Sequence, residues 1–388
     1  MVPYDIWAEI DLAAVEQNVR NLREALSPGT KLMAVVKADG YGHGAVPVAS
    51  SALAAGADCL AVARMGEAIE LRHAGIKCPI LIFGHVVPGL ASKLLDYNLT
   101  QTVSSFKYAR ELSDLASAEG ATLRVHVNID TGMGRLGVMG AAGESRWNSA
   151  GAVDEIEAIC GLKGLAVQGV YTHFATADER EKTNARAQFK LFERILSVLR
   201  QRGIVFEFRH AANSAAALDM PETHMDMVRL GISIYGHYPS EETKNRHVKL
   251  VPAMTVRARI VHLKEVGPGF KVSYGWTGQT RDKTIIATVA AGYADGFSRL
   301  FSSSGFMLVR GCRAPVIGRV CMDNVMLDVG HVPNVACGDA ALVFGRDEKG
   351  EIPVETLAGM LGTINYEILS GISSRVPRIY HKASLDTS

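Results

Sequence analysis

Leu32-Met-Ala-Val-Val-Lys37-Ala-Asp-Gly-Tyr41-Gly-His-Gly44 reads as a short buried strand that runs into a loop with three glycines. Five apolar residues in a row, two of them β-branched, make the strand, and the lysine stands where it opens into the loop. Leaving water lowers the cost of neutralising an ammonium group, so Lys37 is placed to act as a nucleophilic amine, the role that Schiff-base chemistry requires. The glycines let backbone N–H groups approach an anion closely. Taken alone, the stretch favours the plainer reading, a lysine that ends a strand and points into solvent.

Strand-like runs recur on either side of it, near 31–36, 58–62, 79–83, 100–103, 123–129, 165–172, 205–211 and 226–230. Helical patterns follow most of them, as at 46–55, 66–73, 106–118, 153–160 and 181–202. Alternating strands and helices argue for a parallel sheet, and eight such units in about 210 residues match a closed (β/α)8 TIM-type barrel. A doubly wound open sheet is the competing arrangement. A barrel builds its site from the C-terminal ends of its strands. Those ends carry Lys37, Arg64, His85, Asp130 with Thr131, His173, Asn213 with Ser214, and Arg229 leading into Gly231. The run Leu123-Arg-Val-His-Val-Asn-Ile-Asp130 alternates strictly, so Arg124, His126, Asn128 and Asp130 share the face that enters the barrel, where each needs a partner. Next comes Gly132-Met-Gly-Arg-Leu-Gly137, which spells Gly-x-Gly-x-x-Gly with Asp154 further on. A dinucleotide fingerprint opens directly into a helix, whereas Val138-Met-Gly-Ala-Ala-Gly-Glu-Ser145 starts one poorly, so nicotinamide binding is not favoured.

With 388 residues, nearly half of them hydrophobic, the chain can bury a core large enough for two domains. Its net charge of +1 favours neither nucleic acid nor an anionic membrane as partner. The start, Met1-Val-Pro-Tyr-Asp-Ile6, lacks a basic region followed by an apolar core, and no stretch approaches the roughly 18 apolar residues of a membrane span. A soluble, cytoplasmic protein is the expectation. The six cysteines are scattered without Cys-x-x-Cys, so reduced thiols are expected and neither a disulfide framework nor a metal site. Beyond Gly236 the rhythm changes to short β-rich runs separated by Gly and Pro, after a polar stretch from His237 to Arg246. Residues 1–240 are therefore expected to form the barrel and 241–388 a mainly β domain.

Ala34-Val-Val-Lys-Ala-Asp-Gly-Tyr-Gly-His-Gly44 resembles the pyridoxal-phosphate lysine motif of bacterial alanine racemases. Similar matches run in order through Asp130-Thr-Gly-Met-Gly-Arg135, Tyr171-Thr-His-Phe-Ala-Thr-Ala-Asp178, Ala212-Asn-Ser214, Val228-Arg-Leu-Gly-Ile-Ser-Ile-Tyr-Gly236, Val272-Ser-Tyr274-Gly-Trp, Ala291-Gly-Tyr293, Gly318-Arg-Val-Cys-Met-Asp323 and Ile364-Asn-Tyr366-Glu. The resemblance implies a barrel followed by a β domain in a head-to-tail homodimer with shared active sites. It implies pyridoxal 5'-phosphate as cofactor, with L- and D-alanine as substrates and D-alanine destined for peptidoglycan. Lys37 would carry the cofactor and serve as one acid-base group. Tyr274 of the partner subunit would serve as the other, on the opposite face. A phenol is a poor base at neutral pH, so it needs help from nearby charge or donors, for which His173 and Arg229 are the candidates.

The same resemblance sets Arg229 against the cofactor's ring nitrogen. A guanidinium only donates, so that nitrogen would stay unprotonated and the electron sink weak, which favours return of the proton to Cα over transamination. Tyr41, Tyr366, Ser214 and the backbone N–H groups of Gly231 and Ile232 would hold the phosphate, with Asn213 beside them. Arg135 would sit near the cofactor's phenolic oxygen and the substrate carboxylate, with the Met322 N–H as a second carboxylate contact, Asp323 would line the site, and Asp178 and Tyr293 would narrow the entrance. The sequence departs from the family at Asn128, where many members carry a carbamylated lysine that positions the arginine. An amide cannot be carbamylated, and a chloride near Asn128 and Arg135 is the expected substitute. An amino-acid decarboxylase of the same barrel class and a non-enzymatic pyridoxal-phosphate carrier are the competing readings.

Overall fold

A computed structural model describes residues 3–139, 149–243 and 248–382. The chain divides into two compact units, one made of residues 14–40 and 45–251, the other of residues 1–13, 41–44 and 252–388.

The first strand, β1 (Ile6–Asp11), belongs to the second unit. The barrel strands are β2 (Lys31–Val35), β3 (Cys59–Val62), β4 (Ile80–Ile82), β5 (Thr100–Val103), β6 (Leu123–Asp130), β8 (Leu165–Tyr171), β9 (Phe208–His210) and β10 (Met227–Leu230). The two-residue β7 (Val138–Met139) only lies alongside the end of β6. Every expected barrel run is a strand. They pair in parallel in the order β10-β2-β3-β4-β5-β6-β8-β9. Two backbone bonds join the last strand to the first, Asp226 N–H to the Arg209 carbonyl at 3.1 Å and Arg229 N–H to the Ala212 carbonyl at 3.0 Å. That nearly closed ring is the barrel and not the open sheet.

Strands β2 to β4 read as near-continuous apolar runs because both faces are covered, by helices outside and packed side chains inside. Leu32, Met33, Ala34 and Val35 of β2 are all buried. The helices Leu12–Ala25 and Thr183–Gln201 turn Val15, Val19 and Leu22, and Phe189, Phe192, Ile195 and Leu199, inward at helical spacing. The Gly132–Gly137 loop leads into β7 and not into a helix, as a dinucleotide site would need. Residues 140–145, expected to start a helix poorly, lie outside the described residues, as do residues 244–247 of the polar stretch after Gly236. Gly137 has φ +141°, and a Cβ there would lie 2.5 Å from the Asp130 nitrogen, so close approach to β6 accounts for that glycine.

The second unit is a mainly antiparallel sheet. Its long strand β11 (Met254–Val266) pairs with β1, β14 (Thr284–Val289) and β18 (Ala340–Asp347). The short pair β12 (Lys271–Val272) and β13 (Gly278–Gln279) flanks Tyr274. The sheet is extended by β15 (Phe306–Val309), β16 (Cys312–Pro315), β17 (Val325–Asp328), β19 (Gly350–Ile352) and β20 (Arg378–His381). The division differs from a single cut at residue 240. β1 lies between β11, antiparallel, and β20, parallel, so the first residues of the chain complete the sheet of the last. Pairing across such a span leaves no mark on local pattern, and Trp7, Ala8 and Ile10 are as buried as any barrel strand.

Gly169 in β8 lets the His126 ring into the barrel, since a Cβ there would sit 2.6 Å from ring atoms. Gly169→Ala should therefore destabilise the barrel by about 1–3 kcal/mol. The denaturant midpoint of the barrel transition checks this, and an unchanged midpoint contradicts the packing account.

Candidate active site

Lys37 follows β2 directly, and its neighbours bend unusually. Ala38, Asp39, Gly40 and Tyr41 all take positive φ, at 53°, 51°, 60° and 53°. For the three that are not glycine the left-handed conformation costs on the order of 1–2 kcal/mol each, so specific bonds must hold the turn. Gly40 N–H donates to the Val36 carbonyl at 3.0 Å, and the Asp39 carboxylate accepts the Ala45 N–H at 2.8 Å, starting the helix Ala45–Ala54. Glu67 accepts the Ala38 N–H at 2.6 Å. Burial lowers the pKa of Lys37, the positive charge of Arg135 lowers it further, and the Glu67 carboxylate works the other way.

Behind Lys37 lies a buried cation with its acceptors. Arg229 is 3% exposed, and its Nη2 donates to the carbonyls of Thr172 at 2.8 Å and Ala211 at 2.9 Å and faces His173 Nδ1 at 3.2 Å. Its Nη1 donates to His210 Nδ1 at 3.0 Å. A guanidinium has no acceptor, so both imidazoles accept at Nδ1 and carry their proton on Nε2. His210 then donates from Nε2 to His126 Nδ1 at 2.9 Å, which fixes the third ring in the same way. Tyr171 stacks on His210 with ring centres 4.8 Å apart, and Arg229 lies over the same ring at 5.1 Å. Burial, then Arg229, Arg135 and Lys37, hold His173 well below the usual imidazole range. Burial, then Arg229 and His126, do so for His210, while burial and Arg229 take His126 to about 3. Burial lowers Arg229 to about 10, which leaves it charged at neutral pH.

The ends of β9 and β10 bring the remaining barrel residues together. Ser214 Oγ accepts the Gly231 N–H at 3.0 Å and the Ser233 hydroxyl at 2.9 Å, and buried Ile232 opens the short turn that follows. The Asn213 side chain accepts the Ala216 N–H and so caps the helix Ser214–Asp219. Each polar residue of β6 finds a partner: Arg124 bonds Asn98, His126 bonds His210, Asn128 Nδ2 donates to the Leu136 carbonyl at 2.7 Å, and Asp130 accepts the N–H groups of Gly132 and Gly134. Asn128 Oδ1 is buried without a hydrogen bond. Arg135 is exposed in its loop, and so is Asp178, whose carbonyl accepts the Ser240 hydroxyl.

In the second unit the tyrosines 41 and 366 approach to 6.0 Å between ring centres, and burial raises the pKa of Tyr41. The loops carrying Tyr274, Tyr293 and Met322 are laced together. Ser273 Oγ donates to the Arg319 carbonyl at 2.6 Å, and the N–H groups of Tyr293 and Ala294 reach the carbonyls of Cys321 and Met322. Tyr274 is 70% exposed and Met322 52%. Asp323 is paired with Arg375 at 2.7 Å, and Arg375 in turn holds Asp295.

Glu67, His210 and the tie between His210 and His126 have no counterpart in the sequence reading. His126 was legible as an inward polar residue of an alternating strand, but its partner lies 84 residues away. Glu67 gave no capping signature because Arg64, and not a short polar residue, precedes its helix.

A sequence profile for the alanine racemase N-terminal domain matches residues 10–239, and one for the alanine racemase C-terminal domain matches residues 253–380. The chain belongs to the alanine racemase family. It is 50% identical over 384 residues to the alanine racemase of Desulfosudis oleivorans, covering 99% of this chain and 98% of that one. The structure of alanine racemase from Clostridium difficile 630 superposes with a TM-score of 0.91 at 38% identity, covering 98% of this chain and 97% of that one. That of the Bacillus anthracis alanine racemase with bound L-Ala-P gives 0.89 at 39% identity, covering 98% and 96%. Alanine racemases are pyridoxal-phosphate-dependent enzymes, and this one interconverts L- and D-alanine. Among the described residues no helix is long and apolar enough to cross a membrane.

Three neutral histidines, His126 and His210 buried and His173 half-buried, give this racemase a pH-dependent stability. Unfolded histidines take up protons below about 6.5, whereas the folded ones stay neutral until much lower pH, about 3 for His126. Between those limits the unfolded state binds more protons, so the stabilisation is complete above 6.5 and is lost as pH falls, by up to about 1.4 kcal/mol per pH unit for each histidine. Denaturant midpoints should drop between about pH 7.5 and about pH 5.5. His126→Gln should make the drop shallower, and equal slopes would contradict a neutral His126.

Proposed function

We propose that Lys37 binds pyridoxal 5'-phosphate in the barrel, and that Lys37 and the Tyr274 of a partner subunit move the α-proton of alanine on opposite faces. The observation that carries this reading is an amine of lowered pKa at a barrel rim, with a buried, permanently charged arginine and its neutral histidine behind it. The residues fit the group. An aldehyde needs an unprotonated amine, and a phosphate needs hydroxyl and N–H donors of the kind gathered at Ser214, Gly231 and Ile232. Tyr41, Tyr366 and Asn213 complete that set in the proposal, by resemblance.

When bound, pyridoxal phosphate supplies the electron sink that acidifies the α-proton. Arg229 would face its ring nitrogen and, as a donor that keeps its proton, hold that nitrogen unprotonated. His173 accepts from Arg229 at Nδ1, so its Nε2–H is free in direction to donate to a phenolate, which would help Tyr274 act as a base. Lys37 Nζ takes or returns the proton on the other face. Arg135 and the Met322 N–H would bind the carboxylate of alanine, Asp323 would line the pocket with its charge balanced by Arg375, and Asp178 and Tyr293 would narrow the entrance.

Residues 1–240 would act as the cofactor domain, and 241–388 as the domain that lends Tyr274 to the partner of a head-to-tail homodimer. The exposure of Tyr274, Trp276, Leu300 and Met322 on the second unit supports a partner subunit. A chloride beside Arg135 stays in the proposal because no carboxylate pairs with that arginine among the described residues. It would have to be held without Asn128 Nδ2, which is committed to Leu136. Supply of D-alanine for peptidoglycan would place the enzyme in the cytoplasm.

Incubation with L-alanine in heavy water should yield D-alanine with deuterium at Cα. Release of carbon dioxide would point to a decarboxylase, and no reaction to a carrier. Lys37→Ala and Tyr274→Phe should each lower kcat by at least about a thousandfold. Mixed and reassociated, the two inactive proteins should recover about a quarter of wild-type activity, because half the dimers are mixed and each holds one intact site. No recovery after subunit exchange would rule out a shared site.

A further inference from the structure

The carboxylate of Glu67 is bonded to three backbone N–H groups drawn from two neighbouring turns. Oε1 accepts from Ala38 at 2.6 Å, and Oε2 from Ala63 at 2.8 Å and Arg64 at 2.9 Å. Ala63 and Arg64 lie where β3 runs into the helix Met65–His73, and Glu67 is the third residue of that helix, a position from which Glu or Gln commonly caps the N-terminus. Capping accounts for the two bonds of Oε2. It does not account for Ala38, which lies in the turn after the adjacent parallel strand β2 and directly follows Lys37.

Ala38 is also the first residue of the left-handed turn, with φ 53°. Its N–H finds its acceptor in the Glu67 carboxylate, and a charged acceptor is the stronger kind of partner for such a group. We propose that Glu67 is a positioning residue for Lys37: by clipping the Ala38 N–H to the mouth of β3, it sets the direction in which the lysine side chain leaves the barrel rim. The clip itself is independent of any cofactor, but its consequence for turnover rests on Lys37 being the cofactor-bearing amine. The charge of the carboxylate also acts on the Lys37 ammonium, in opposition to Arg135, and neutral His173 feels that ammonium in turn.

Glu67→Gln separates the two roles. The single amide oxygen can take the place of Oε2 and keep the cap, which leaves the NH2 group against the Ala38 N–H, donor facing donor. Glu67→Ala removes both. The pH dependence of Lys37 acylation in the full-length apoprotein, read by mass spectrometry, reports on the amine without the cofactor. Both variants should shift half-maximal labelling to lower pH. After reconstitution with pyridoxal phosphate, Glu67→Gln should lower kcat by on the order of tenfold to a hundredfold, with KM for alanine changed by less than about twofold and thermal stability close to wild type. A Glu67→Gln labelling profile that overlays wild type, with loss of activity only in Glu67→Ala and only alongside lost stability, would reduce Glu67 to a helix cap and overturn the proposal. A wild-type protein whose Lys37 forms no adduct with pyridoxal phosphate would instead remove the cofactor reading, and the labelling comparison would still report the influence of Glu67 on the amine.

Discussion

A guanidinium sealed inside a barrel is the constraint on which the catalytic half of the molecule depends. Arg229 cannot shed its proton, so every group around it has to accept, and the surroundings comply with two carbonyls and two imidazoles. Its charge, added to burial, keeps His173 and His210 neutral and orders their tautomers outward to His126. Gly169 is part of the same arrangement, because without its missing side chain the outermost ring has no room. One residue at the end of β10 thus dictates the protonation of three others on β6, β9 and the loop after β8.

The lysine end of the site is organised differently. There the backbone is held in a costly left-handed turn by carboxylates, Asp39 from within the turn and Glu67 from the next βα unit. The two carboxylates do not compete for the same donors, since Asp39 starts one helix and Glu67 closes the start of another. The turn is therefore determined from both sides, and with it the backbone on which Lys37 stands.

Much of this was legible before any coordinates. The barrel strands stand in the sequence, β2 to β4 as near-continuous apolar runs because parallel strands are covered on both faces, and β6 by its strict alternation. The rim residues followed from the strand ends, and Lys37, His173, Ser214 and Arg229 do stand at those ends. Other features were invisible for physical reasons. The pairing of β1 with β11 and β20 joins the two ends of the chain, which no local periodicity encodes, and so the break between units does not fall at residue 240. Glu67 looked like any surface glutamate in an amphipathic helix, since its partner is a backbone N–H on another turn. Asn128 was read as the loss of an anionic support. The structure shows what its amide does instead, tying down Leu136 in the arginine's own loop.

The position of β1 also bears on how the polypeptide is made. β1 precedes every barrel strand in the chain, yet both of its neighbours, residues 254–266 and 378–381, follow the last of them. The barrel segment has all its strands between residues 31 and 230 and can close while synthesis continues. A strand containing the buried Trp7 and Ile10 must meanwhile wait unpaired, an open edge in search of a ladder, until β11 arrives for one side and β20 for the other. Chaperone dependence and aggregation during expression should accordingly track this short segment more than the catalytic barrel.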